Sequence, residues 1–191
     1  MDLKLLQSTI NCHPDPAGGQ QPTIKITGSK SETNRLLLLQ ALYPNITLEN
    51  ISKSDDSDVM QLALSNNQQP TTNNQINVHH AGTAMRFLTA FFAIREGKEV
   101  VLTGSSRMKE RPIKILVEAL NQLGALITYE ENEGFPPIRI KGKKIEKNKI
   151  TLKADVSSQY ISALLLIAPK LENGLELTLE GEITSIPYIK M

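Results

Sequence analysis

The 191-residue sequence has one cysteine, Cys12, so no internal disulfide can brace it. It has almost no net charge: 21 Lys and Arg stand against 20 Asp and Glu, leaving +1. A chain so nearly neutral is no general polyanion binder, and nucleic acid is not an expected partner. Any anion site must come from local clustering of cations. Long apolar runs are also missing. The longest, such as 163–169, are too short to span a bilayer, so no membrane partner is expected. The first residues hold no cationic segment followed by an apolar core. They carry Asp2 and lack an Arg/Ser bias, which predicts neither a signal peptide nor a transit peptide. The expected location is the cytoplasm. What is present is 40% hydrophobic, enough for one good core, or one core and part of a second.

Residues 12–22 contain three prolines and two glycines and read as a connector. A short strand-like stretch at 3–10 precedes it, and the main body starts at Thr23. Short segments rich in Ile, Val, Leu and Thr predict strands at 23–27, 46–51, 76–79, 100–103, 125–129, 137–141, 149–153 and 175–179. Helices are predicted between them. The helix at 31–43 is apolar after Arg35 and should be buried on nearly every side. The one at 55–64 opens on Asp55 as N-cap, and the one at 82–96 ends at Gly97. A helix at 112–123 has Pro in its first turn, Gly124 past its end and an apolar stripe through Leu116, Leu120 and Leu123. A last one at 157–168 stops at Pro169. The element order predicts an α/β (α+β) fold that uses one unit several times, with the third unit breaking off before its second helix. The expected division is 1–20 with another domain and 21–191 as one incomplete domain.

Three strand-to-helix junctions carry anion-friendly groups. Thr27 to Arg35, TGSKSETNR, sets a glycine turn and Lys30 before a helix, with Arg35 one turn in. It is not a Walker A loop, and the residues alone fit a serine-capped helix with a solvated Lys and Arg equally well. His79 to Arg86, HHAGTAMR, offers backbone N–H groups at Gly82 and Thr83. Adjacent histidines on a strand face opposite sides, and no Cys or carboxylate lies at ligand spacing, so no metal is expected there. Asp155 to Tyr160, DVSSQY, brings hydroxyls and an amide suited to a phosphate or sugar, or simply to an N-cap. A further loop holds Arg107, Lys109 and Arg111 at alternate positions before a helix. Such a run is ordinarily a solvated surface, but a cation at a helix N-terminus is unfavourable until an anion offsets it. Helix N-termini facing one cleft would suit a multiply charged small molecule.

Read in order, these segments resemble the enolpyruvyl transferase family, in particular its EPSP synthase members. GSKSETNRLLLLQAL resembles the family's GSKS-x-x-NR signature and AGTAMRFLTA its NAGTAMR signature. LTGSSRMKERPIKILVEALNQLGA, VSSQYISALLLIAP and SIPYI resemble three more, so the likeness covers nearly all of the chain after Thr23. The resemblance implies domains built of βαβαββ units, with helix N-termini aimed at a cleft between two of them. It implies transfer of the enolpyruvyl group of phosphoenolpyruvate to the 5-hydroxyl of shikimate 3-phosphate, without a cofactor, by a monomer. It assigns Lys30, Gly82 and Arg107 to phosphoenolpyruvate. It assigns Lys30, Ser31, Arg35, Ser157, Ser158, Gln159, Ser185 and Tyr188 to shikimate 3-phosphate. The acid–base groups it implies lie beyond residue 191, so this chain alone would be inactive. Two positions depart from the pattern: His80 replaces the Asn of NAGTAMR, and Phe87 replaces a frequent Pro. The sister enzyme acting on a UDP-amino sugar uses a loop cysteine, whereas Cys12 falls in the connector. A non-catalytic anion-binding domain of the same fold is the other alternative.

Overall fold

The computed structural model describes residues 2–4, 9–11, 23–25, 27–65, 74–153, 155–183 and 186–190. The connector 12–22 with Cys12, and Ser185, lie outside them. In chain order the strands and helices are β1 (Asp2–Lys4), β2 (Thr9–Asn11), β3 (Thr23–Lys25), α1 (Lys30–Leu42), β4 (Thr47–Glu49), α2 (Asp55–Ser65), β5 (Gln75–Asn77) and α3 (Gly82–Ala93). They continue with β6 (Glu99–Thr103), α4 (Ser106–Lys109), α5 (Lys114–Leu123), β7 (Leu126–Tyr129), β8 (Ile138–Lys141), β9 (Lys149–Lys153), α6 (Ser158–Ile167), β10 (Glu176–Glu180) and α7 (Ile186–Lys190). The fold is mixed α/β, as expected.

Helix α3 organises the rest. Its sequence, GTAMRFLTAFFA, is apolar on all sides, and every residue but Thr83 is buried. A helix without a polar face must be surrounded, and α1, α2, α5 and α6 all pack on it together with β6 and β8. Helix α5 shows the opposite pattern, one buried stripe of Leu116, Val117, Leu120 and Leu123 under an exposed polar face. It ends where Gly124 turns left-handed at φ 109°, a conformation that suits glycine. Strand β9, KITLK, alternates exposed and buried residues, the period of a half-covered sheet.

From β5 to β8 the chain runs β5, α3, β6, α4, α5, β7, β8, and its strands form a four-stranded sheet in the order β5-β6-β8-β7. Strands β5 and β6 are parallel around α3, and β8 runs antiparallel to both β6 and β7. Beyond it, β9 and β10 pair in parallel around α6.

Several sequence-based expectations are corrected. Helix α3 ends at Ala93 rather than at 96, and Gly97 (φ 73°) lies in the following turn. There Gly142 packs so closely that a Cβ on it would collide with the Arg95 and Phe92 carbonyl oxygens. Pro112 precedes α5 instead of entering its first turn, because its carbonyl is taken by Arg86 and Tyr160 side chains. The start of α2 is capped by Ser54, whose hydroxyl and carbonyl accept from Ser57 N–H, rather than by Asp55. Helix α1 is buried at Leu37, Leu38 and Leu42 but only half-buried at Leu36, Leu39 and Ala41, so it is less enclosed than expected. The second helix expected to be missing after β10 begins as α7. The single strand expected at 3–10 is two short strands, and both have partners: β1 pairs in parallel with β4, and β2 antiparallel with β3.

Candidate functional site

Helices α1, α3 and α6 meet near their starts. Arg35 of α1 donates from Nη2 to Ser162 Oγ of α6 at 2.9 Å, and its guanidinium lies 5.4 Å from the Phe87 ring centroid of α3. Arg35, Phe87 and Ser162 stand five, five and four residues past the first residues of their helices. A hydrogen bond from Gln159 Nε2 to Thr83 Oγ1, 3.2 Å, joins the first turns of α6 and α3 directly. Helix α2 begins beside them, where Lys30 Nζ stands 3.8 Å from Asp56 Oδ2.

These starts are finished differently. Asp55, Asp56 and Asp58 supply the first turn of α2 with negative charge, the sign its dipole favours. The first turns of α3 and α6 carry no acid. Ser157 caps α6 through its hydroxyl, which accepts from Gln159 N–H at 3.3 Å. Ala81 has no side chain with which to cap α3. Among the described residues the N–H groups of Gly82, Thr83 and Ala84 therefore have no protein acceptor.

Two arginines are buried here with no carboxylate partner among the described residues. Arg35, 7% exposed, also donates to the carbonyls of Ser31 (2.8 Å) and Tyr188 (3.5 Å). Among the described residues those three bonds leave two of its five N–H groups unused. Arg86, 5% exposed, donates to the carbonyls of Gly82 and Pro112, each at 3.1 Å. Burial pulls both guanidinium groups below their ordinary range, which Tyr188 opposes for Arg35 and Tyr160 for Arg86. Buried cations without counter-ions are costly, and a bound anion would relieve both.

A cavity of about 380 Å³ beside the start of α3 is lined by His80, Arg107, Met108 and Arg111. Two loops build it. The turn after β5 takes His79 to φ 50°, where Asn77 Oδ1 accepts its N–H at 2.8 Å. The loop after β6 binds that turn, with Ser105 N–H donating to the His79 carbonyl at 2.9 Å. Gly104 is needed at the crossing, since a Cβ there would stand 2.5 Å from that same carbonyl oxygen. Because residues 79–80 form a turn and not a strand, both histidines are exposed, correcting the expectation of opposite faces.

The assigned residues fall into two groups. Arg35, Tyr188 and the α6 start with Ser157, Ser158 and Gln159 are joined through Ser162 and Thr83. Arg107 lines the cavity, and Gly82 at the start of α3 lies against Arg111, which also lines it. Lys30 is exposed beside Asp56, and no hydrogen bond links it to the Arg107 loop among the described residues. Arg35 is not the solvated side chain of a plain capped helix. Ser31 is half-buried and holds Arg35 through its carbonyl. Ser185 is outside the described residues. The sequence reading missed Arg86, Ser162 and the hydroxyl of Thr83, having marked Thr83 only for its backbone N–H. A Ser or Thr inside a helix has no local mark, and only the packing of α1, α3 and α6 identifies these two.

The family model described as EPSP synthase (3-phosphoshikimate 1-carboxyvinyltransferase) matches residues 45–191. A 3-phosphoshikimate 1-carboxyvinyltransferase of Bacteroides fragilis (strain YCH46) is 51% identical over 170 residues, covering 88% of this chain and 40% of that protein. One from Colwellia psychrerythraea is 40% identical, covering 96% of this chain and 47% of that protein. The solved EPSP synthase of Acinetobacter baumannii superposes with a TM-score of 0.68 at 18% identity, over 86% of this chain and 41% of that one. The chain thus spans less than half the length of these relatives.

Proposed function

The chain belongs to the EPSP synthase family, and from that premise we propose that it supplies one wall of an active site. The reaction joins phosphoenolpyruvate to the 5-hydroxyl of shikimate 3-phosphate and releases phosphate. The observation that carries the reading is the meeting of α1, α3 and α6 near their N-terminal ends, that of α3 uncapped, around two buried arginines that lack carboxylate partners among the described residues. Buried guanidinium groups with no acidic partner suit substrates that bring phosphate and carboxylate groups.

Two subsites are proposed. Arg35 with Ser31, Ser157, Ser158, Gln159, Ser185 and Tyr188 takes shikimate 3-phosphate. Gly82 and Arg107 take phosphoenolpyruvate at the cavity, and Lys30 serves both. Preformed donors and cations would stabilise charge developing on the phosphoenolpyruvate carboxylate and phosphate during addition and elimination. They would also hold the two reactants together. Groups that give and take protons belong to the remainder of the complete enzyme, so this chain alone binds without turnover.

The test is a chimera that joins residues 1–191 to the remainder of the Bacteroides fragilis relative. Phosphate release dependent on both shikimate 3-phosphate and phosphoenolpyruvate is expected. Turnover of a UDP-amino sugar in place of shikimate 3-phosphate would overturn the reading. Calorimetry on the 191-residue chain should detect shikimate 3-phosphate, and Arg35→Gln should weaken it about tenfold or more, the worth of one charge-assisted hydrogen bond.

A further inference from the structure

We propose that a cleft between the second halves of α1 and α2, closed by Arg95, is a further ligand site, and that it takes a small apolar carboxylic acid. The proposal goes beyond the function proposed above and does not depend on it.

The cleft has a volume of about 380 Å³, within the usual span of small-molecule pockets. Leu37, Gln40, Ala41 and Pro44 line it from α1 and the turn that follows, and Gln61, Leu64 and Ser65 line it from α2. Steps of three and four residues put each set on one helix face. Helices α1 and α2 pack on each other and on α3, and all three start at the junctions where Lys30, Asp56 and Gly82 stand. The cleft lies toward their other ends and shares no lining residue with the arginine cavity.

Arg95, just past the end of α3, is the one charged residue of the lining. It is half-buried, with its guanidinium 5.1 Å from the Phe91 ring centroid. Among the described residues no carboxylate or other acceptor takes its guanidinium N–H groups. Its backbone is held at both ends: the N–H donates to the Phe92 carbonyl at 3.1 Å, and the Arg95 carbonyl accepts from Lys98 N–H at 3.0 Å. The fork is thus open to a ligand on a fixed base.

The surroundings decide which anion fits. The last carbonyls of the three helices add negative potential at this side, which disfavours a dianion such as phosphate. A single carboxylate matches one guanidinium fork. The rest of the lining gives a polar ligand little. Gln61 is exposed, Gln40 Nε2 donates to the Ile46 carbonyl at 2.9 Å, and Ser65 Oγ donates to the Leu62 carbonyl at 2.9 Å. Leu37 is buried, and Ala41 and Leu64 are half-buried, so an apolar body has walls to cover.

The experiment titrates the 191-residue chain separately with phenylacetate, neutral phenylacetamide and inorganic phosphate, following amide chemical shifts. Phenylacetate should move the resonances of 40–44, 61–65 and 94–96 saturably. Phenylacetamide should bind there about tenfold or more weakly, the worth of the charge-assisted contact. Arg95→Gln should weaken phenylacetate by a similar factor and leave phenylacetamide within about twofold. Ala41→Leu keeps the charge but fills the cleft, and should weaken both. The proposal is overturned if phenylacetate moves none of these resonances up to about 10 mM, ten times the Kd of a weak ligand. It is equally overturned if the amide binds as well as the acid, or if Arg95→Gln or Ala41→Leu keeps parental affinity. Phosphate binding these residues as tightly as phenylacetate would reduce the site to a surface cation and overturn it too.

Discussion

Residues 75–141 and residues 149–190 both run strand, helix, strand, helix, yet they are covered very differently. In the first stretch α3 is enclosed, and β6 and β8 turn Leu102, Ile138 and Ile140 into the core with no exposure. In the second, β9 and β10 pair only with each other among the described residues, Leu177 and Leu179 are half-buried, and no residue of α7 is buried. The difference bears on the site. The arginine cavity stands on the enclosed stretch, whereas the hydroxyls and amide of α6 stand on the open one. The second group is held by bonds to the rest: Gln159 to Thr83, Tyr160 to the Pro112 carbonyl, and Ser162 to Arg35. Position in the open stretch is borrowed from its neighbours.

The strongest way to break this contrast is to empty each side in turn. Phe91, fully buried in α3, should cost about 3–5 kcal/mol when cut to Ala, through lost transfer energy and the cavity left behind. Leu177→Ala in β10 removes a side chain that is already half in water, and about 1 kcal/mol is expected at roughly 25 cal/mol per Å². Urea unfolding monitored by circular dichroism measures both. Similar losses at the two positions would mean that the open stretch is as well covered as the enclosed one.

The cross-links sharpen the comparison at smaller scale. Tyr160→Phe removes one donor to the Pro112 carbonyl, which keeps its bond from Arg86, so a loss of about 0.5–1.5 kcal/mol is expected. Gln159→Ala and Thr83→Val break one bond between partly exposed groups. Their double-mutant cycle should show coupling of about 0.5 kcal/mol or more. If Tyr160→Phe is neutral and the cycle is strictly additive, α6 is held by packing and its bond to Arg35.

Much of this was legible in the sequence because it is written locally. The stripe of α5, the alternation of β9 and the glycine at the end of α5 each follow from a few neighbouring residues. The ordered motifs marked Lys30, Gly82, Arg107 and the α6 start. What stayed hidden depends on distant residues meeting. The displacement of Pro112 comes from a carbonyl claimed by Arg86 and Tyr160, 26 and 48 residues away. The burial of Arg35 depends on Ser162, 127 residues on. The load on Gly82 is a guanidinium from residue 111, and no spacing rule connects the two.

The smallest expected effect lies on the solvent face of the four-stranded sheet and tests whether its firmness owes anything to charge. Arg139 on β8 donates to Glu130 from Nε at 2.7 Å and to Glu99 from Nη1 at 2.9 Å. These hydrogen bonds, above all, hold both carboxyls below their ordinary range, and Lys141 adds to the effect at Glu99. A carboxyl depressed in the folded chain binds fewer protons there than in the unfolded chain. Its contribution is therefore present above the ordinary carboxylate range and is lost as pH falls through the folded value. The urea midpoint should be flat above about pH 5 and decline below about pH 4. Arg139→Gln should remove part of that decline while changing the neutral-pH midpoint little, because exposed ion pairs contribute little. Raising the salt to 1 M should shrink the difference between parent and variant, the Debye length then being about 3 Å. If the variant declines with acid as steeply as the parent at low salt, the cluster adds nothing to the sheet. The contrast between the two stretches would then rest on apolar burial alone.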